Sequence, residues 1–161
     1  ISPGAAILLS SVPPRGIPLL SWPLFRRELK HVSAMLTSRA ITVNPRDAAD
    51  LFLNKVDPTE VASFLPLWAP ASGRVGREIT FGRIAVDAKK VTCPVVVIAG
   101  AEDVAIPPRT QRKVARKYGA VFRLYEGNAH FLIWETGWDR IAADVAAWLD
   151  QALAEPAALS A

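Results

Sequence analysis

The stretch Cys93–Pro108, CPVVVIAGAEDVAIPP, decides how this chain is read. Pro94–Ala99 is apolar, β-branched and continuous, the pattern of a strand buried on both faces of a parallel sheet. The run stops at Gly100, and two carboxylates, Glu102 and Asp103, follow immediately. An acid at the rim of the most buried element needs a partner, because taking a carboxylate out of water is costly unless it is paired.

The neighbouring sequence supplies the fold around this strand. Pro108–Tyr118 carries a helix pattern, with proline at its start and Gly119 as its stop. Ala120–Tyr125, AVFRLY, is a second and shorter strand, closed by Gly127. Thr136, with Asp139 three residues on, caps a last helix whose Ile141, Val145, Trp148, Leu149 and Ala152 mark one face. Upstream, Ala5–Ser10, AAILLS, is another apolar run, stopped by SVPPRG. Strand, helix, strand and helix at this spacing predict an α/β fold on a parallel sheet with right-handed crossovers.

The middle of the chain is helical in pattern: Leu24–Leu36, Pro45–Asn54 behind the cap Asn44, and Pro58–Leu65 behind the cap Asp57, with Glu60 completing a capping box. So long an insertion between two parallel strands exceeds a plain crossover and reads as a subdomain on the sheet. The expected organisation is a core from residues 1–21 and 88–155, a helical cap over 22–87 and a frayed tail over 156–161.

Composition narrows the classes. The chain of 161 residues is 51% apolar and 21% charged, which fits one globular domain rather than a disordered segment. Its net charge of +4 is a mild excess. The basic series Arg109, Arg112, Lys113, Arg116 and Lys117 has helical spacing and reads as the solvated face of a helix whose Val114 and Tyr118 turn inward, so no nucleic-acid partner is expected. Cys93 is the sole cysteine and cannot form an internal disulfide or a cysteine metal cluster; it reads as a small buried hydrophobe in a cytoplasmic protein. His31 has no acid or cysteine at ligand spacing, and no metal site is expected. The apolar runs fall short of the roughly 20 residues of a membrane span. Ile1 is no initiator and the sequence opens in the middle of what reads as a strand, so an N-terminal part is expected to be missing.

In an open parallel sheet, ligands bind beyond the carboxyl ends of the strands. Asp103 lies there after one strand and His130, in EGNAHFLIWE, after the next. Adjacent loops let the two meet, as the orienting half of a catalytic triad. Each also has a simpler reading, Asp103 as a turn aspartate ahead of Pro107 and Pro108, His130 as a loop histidine bonded to backbone. Glu102 is the rival acid, read as solvated or locally paired, and Glu135 is near enough in sequence to contact His130. Met35, Leu36, Phe52, Phe64 and Trp68 form an apolar set at helical spacings.

The segment VTCPVVVIAGAEDVAIPP, followed by GAVFRLYEGNAHFLIWETGWDRIAADVAAWL, resembles the C-terminal part of the α/β-hydrolases. In that family a G-x-x-D-x-x-x-P turn carries the triad acid and a G-x-x-H turn carries the base; here these are Gly100–Pro107 and Gly127–His130. The resemblance implies Asp103 as the acid, His130 as the base, residues 4–11 as the family's sixth strand and residues 22–87 as its cap. It further implies hydrolysis of a small apolar ester or similar acyl substrate without metal or organic cofactor. The underside of such a cap lines an acyl or alkyl pocket, with Met35, Phe52 and Trp68 as substrate-binding candidates. The family's nucleophile sits on a G-x-S-x-G elbow ahead of both turns, and no serine here lies between glycines at that spacing. The nucleophile is therefore expected from a missing N-terminal half of the same hydrolase, or from a second chain. A serine would imply esterase, lipase, peptidase or haloperoxidase chemistry, and an aspartate dehalogenase or epoxide hydrolase chemistry. The alternative is a truncated, non-catalytic relative serving as a binding or dimerisation module.

Overall fold

The structure is a computed structural model and describes residues 3–19 and 21–154. The expected frayed tail lies outside the described residues. Three parallel strands, β1 (Ala6–Leu9), β4 (Val95–Gly100) and β5 (Val121–Tyr125), form a sheet in the order β1-β4-β5. The register aligns Ala6 with Val95 and Val97 with Phe122.

All six residues of β4 are buried, as its unbroken apolar run requires. Successive side chains of a strand point to opposite faces, so the run divides between two cores. Val96 and Ile98 pack with Tyr125, Leu132 and the Ile141 and Trp148 face of α7 (Trp138–Ala154). Val95 and Val97 pack with Val114 and Ala115 of α6 (Pro108–Tyr118). Burying a side chain of this size contributes about 1.5–3 kcal/mol relative to leaving it exposed, which makes β4 the axis of the fold. Cys93 is half-buried beside the α6 face.

Between β1 and β4 the chain is a run of short helices. α1 (Trp22–Glu28) begins behind Ser21, whose hydroxyl accepts the Leu24 amide. A 3-10 turn over Leu29–His31 leads into α2 (Val32–Thr37), so the single helix expected over Leu24–Leu36 is two helices joined by a tighter turn. α3 (Pro45–Leu51) starts at Asn44, whose side chain accepts the Asp47 amide as a cap should. α4 (Pro58–Phe64) starts at Asp57, but the expected capping box does not form. Asp57 accepts from the amide and hydroxyl of Thr59, and Glu60 instead accepts a bond from Trp134 Nε1 at 3.1 Å. Two-residue strands, β2 (Ala40–Ile41) and β3 (Ala71–Ser72), pair antiparallel and lead into α5 (Gly73–Thr80). α7 starts later than Thr136, after Gly137 at φ 85°.

This helical segment is tied to the carboxyl end of the sheet. Ser21 donates to the Val104 carbonyl, Asn54 Nδ2 to the Glu102 carbonyl at 3.4 Å, and Lys55 pairs with Glu102 at 2.6 Å. It therefore sits over the two turns that carry Asp103 and His130.

Candidate active site

The acid turn and the histidine turn are fastened to each other before any side chain is considered. The Ala101 amide donates to the Tyr125 carbonyl and the Glu102 amide to the Asn128 carbonyl, both at 2.9 Å. This closeness explains Gly100: a Cβ there would collide with the carbonyl oxygens of Asn128 and Ala129. The glycine serves the close approach of two backbones rather than an unusual torsion of its own turn.

Asp103 both turns the chain and meets His130. Its Oδ1 accepts the amides of Ala105 at 2.9 Å and Ile106 at 2.8 Å, the behaviour of a turn aspartate. Its Oδ2 lies 2.9 Å from His130 Nδ1. The Asp103 side chain is fully buried, while 21% of the His130 side chain reaches solvent. With Oδ2 as acceptor, Nδ1 carries the proton and donates it, which leaves Nε2 as the free basic nitrogen. The pair can hold one tautomer, accept a proton at Nε2 and stabilise the resulting imidazolium.

The other acids sit elsewhere. Glu102 is half exposed and paired with Lys55. Glu135 is 1% exposed, and its hydrogen bonds go to the backbone amides of Ala129 and Phe131 and to the Asn128 side chain rather than to the imidazole. His31 has an acidic neighbour after all. Glu28, three residues earlier, has its carboxyl pushed up by burial, an effect that the charges of His31 and Lys30 partly offset. No cluster of three or more histidine, cysteine or acidic side chains that could hold a metal occurs among the described residues.

Phe52 places its ring 5.1 Å from the imidazole and 5.6 Å from Trp68. Phe64 meets Phe131 at 5.5 Å and Trp134 at 4.9 Å, both edge to face. Beside them an open apolar cleft of about 310 Å³ is lined by Phe64, Leu67, Trp68, Ala69 and Phe131. A larger groove of about 470 Å³ runs between α3 and α4, and its walls hold no residue of the acid or histidine turns. Of the three substrate candidates, Phe52 and Trp68 reach this aromatic cluster. Met35 is 2% exposed and lies against Gly76 within the helical segment. The basic face of α6 spends two of its members within the chain: Arg112 lies 5.0 Å over the Phe122 ring, and Lys117 donates to the Arg15 carbonyl. Phe131, Asn128 and the true role of Glu135 went unread in the sequence. Their one local signal is that they crowd around His130 in EGNAHFLIWE.

No family model and no curated protein matches this chain. Solved structures do. A monoacylglycerol lipase of Paleococcus ferrophilus superposes with a TM-score of 0.65 at 19% identity, over 92% of this chain and 59% of that one. An esterase from a Rhodococcus species gives 0.62 at 16%, over 92% and 56%. Tomato methylketone synthase I, complexed with 2-tridecanone, gives 0.62 at 14%, over 92% and 62%. At such identities the likeness is one of fold. The fold is that of the α/β-hydrolases, present in part: its last three strands with flanking helices and a helical insertion. The chain spans less than two thirds of the length of each of these structures. Among the described residues no helix is long and apolar enough to cross a membrane.

Proposed function

We propose that this chain contributes the acid and the base of a nucleophile-His-Asp triad to an ester or acyl hydrolase. The observation that carries this reading is the 2.9 Å bond between a fully buried Asp103 and His130, at the carboxyl ends of neighbouring parallel strands. In the reaction a serine hydroxyl attacks the acyl carbon, and His130 Nε2 accepts its proton and returns it to the leaving alcohol. A water that gives its proton to the same Nε2 then attacks the acyl-enzyme and releases the acid, the proton returning to the serine. Asp103 holds Nδ1–H and steadies the imidazolium. The nucleophile comes from outside these 161 residues, from an N-terminal half of the same hydrolase or a second chain, because none of the serines here sits on a G-x-S-x-G elbow. Residues 22–87 act as the cap, with the Phe64–Trp68–Phe131 cleft receiving an apolar acyl or alkyl group. The lipase and esterase among its structural neighbours, and the neighbour bound to a long-chain ketone, support that substrate class.

A fluorophosphonate probe tests it. The expected result is labelling of a serine on a sequence that accompanies this chain, abolished by His130→Ala. Labelling of Ser10, which is buried at the end of β1 with a hydroxyl that has no partner among the described residues, would move the nucleophile into this chain. No labelling of any kind, with a single intact mass, would favour a non-catalytic binding module.

A further inference from the structure

We infer that Glu135 is a positioning residue for His130, acting through the peptide backbone on either side of it. The carboxylate is 1% exposed, and a buried carboxylate persists only where hydrogen bonds compensate its lost water. Among the described residues, all the hydrogen bonds its side chain accepts come from the histidine turn. Oε2 accepts the Ala129 amide at 2.6 Å, and Oε1 accepts the Phe131 amide at 2.8 Å. The Ala129 N–H belongs to the Asn128–Ala129 peptide and the Phe131 N–H to the His130–Phe131 peptide, so one carboxylate clamps the main chain on both sides of His130. No helix or strand holds this part of the chain, since β5 ends at Tyr125 and α7 begins at Trp138.

Asn128 extends the clamp. Its side-chain Nδ2 donates to Glu135 Oε2 at 3.3 Å and to the Thr136 carbonyl at 3.1 Å. Its own carbonyl accepts the Glu102 amide, one residue from Asp103. Two acids thus divide the task of placing one imidazole. Asp103 touches the ring and selects its tautomer, while Glu135 meets the main chain and the Asn128 side chain and fixes where the ring stands relative to Asp103. The inference rests on reading Asp103 and His130 as triad members. Displacing a reacting group by an ångström can cost about a hundredfold in rate, so a backbone clamp is worth a buried charge.

Glu135→Gln is the test, because it keeps the shape but turns an amide NH₂ toward one of the two backbone donors. In the protein together with its nucleophile-bearing portion, kcat per fluorophosphonate-titrated site should fall roughly ten- to a hundredfold, with KM within about twofold. In NMR spectra, the His130 Nδ1 proton bonded to Asp103 should exchange faster with water in the variant. A merely structural role would reduce the folded fraction while each folded molecule kept its native kcat and ring signal, and that result overturns the inference. Should the variant fail to fold, exchange in the unsubstituted chain decides. The Ala129 and Phe131 amides should exchange far more slowly than those of the exposed Gly127 and Ile133, and equal rates overturn it. Absence of fluorophosphonate labelling alongside a variant-sensitive ring proton would remove the triad and leave the clamp. Labelling with an unchanged ring proton and unchanged kcat would do the reverse.

Discussion

Asp103 uses its two oxygens for two purposes, and a substitution separates them. Asp103→Asn can keep the Oδ1 bonds to Ala105 and Ile106, but it places an NH₂ opposite His130 Nδ1. The imidazole is then driven to the wrong tautomer. Hydrolysis should drop about 10,000-fold while the fold survives, measured as ester turnover beside a thermal melt. Retention of more than roughly a tenth of the activity would sink the role assigned to Asp103. Gly100→Ala should act differently, by forcing the two turns apart. It is expected to cost on the order of 1–3 kcal/mol, the range for an overpacked core, read as a lower Tm with turnover falling in parallel. Asp103 and His130 were legible in sequence because each sits in a short local pattern after a recognisable strand. Glu135 and Asn128 were not, because Glu135 accepts from main-chain N–H groups and Asn128 donates to a main-chain carbonyl, groups that carry no residue signature, and a carboxylate five positions from a histidine says nothing of which atoms it meets.

Elements with strong local punctuation were legible, and those without were not. Asn44, Pro108 and Gly119 mark real helix ends, and the αL torsion of Gly119, φ 60°, is the stop that its identity suggests. α5 escaped notice because Gly73 and Gly76 count against a helix, and two-residue strands are too short to show any period. The link between α1 and α3 also needed three dimensions: Asp47 receives Lys30 and Arg27, while Arg27 also bonds Asp50 at 2.7 Å. The Lys30 hydrogen bond, with help from Arg27 and against burial, holds the Asp47 carboxyl below the usual carboxylate value of 3.8. A depressed folded pKa stabilises above the unfolded value and is lost as pH falls through the folded one. The Tm advantage of the native chain over Asp47→Asn should therefore be full at neutral pH and shrink below about pH 4. A difference that stays constant from neutral pH down to pH 3 would refute the linkage. The proposed role of residues 22–87 as a substrate-selecting cap is tested by Phe52→Ala, which opens the aromatic cluster beside His130. It should lower kcat/KM for long-chain esters about tenfold more than for acetyl esters. Equal losses across chain lengths would assign Phe52 to packing instead.

The whole molecule leaves apolar surface without a covering, and that has a consequence for its behaviour in solution. β1 is hydrogen-bonded on one side to β4, and its other edge is unpaired among the described residues. Leu9 at its end is exposed. Unpaired strand edges of this kind template association with other chains. A second surface compounds the first. Trp22, Phe25, Leu29, Val32 and Leu36 are all exposed and recur at alternating spacings of three and four along α1, the 3-10 turn and α2, which sets them on one side of that helical run. Large contiguous apolar patches are uncommon on monomeric proteins, and within this set Trp22 and Phe25 stack at 5.7 Å. Net charge opposes association only weakly, because +4 is spread over a chain of 161 residues. The 161-residue chain by itself is therefore expected to sediment as oligomers or to aggregate. Glu substitutions at both Leu29 and Leu36 should reduce that association without lowering the Tm, since neither residue belongs to the buried cores. If the proposed function holds, coexpression with the nucleophile-bearing half it calls for should cover the β1 edge and give a single species of defined mass. A monodisperse, cooperatively melting monomer of the chain alone, by sedimentation velocity and calorimetry, would show that neither the open edge nor the apolar stripe needs a partner.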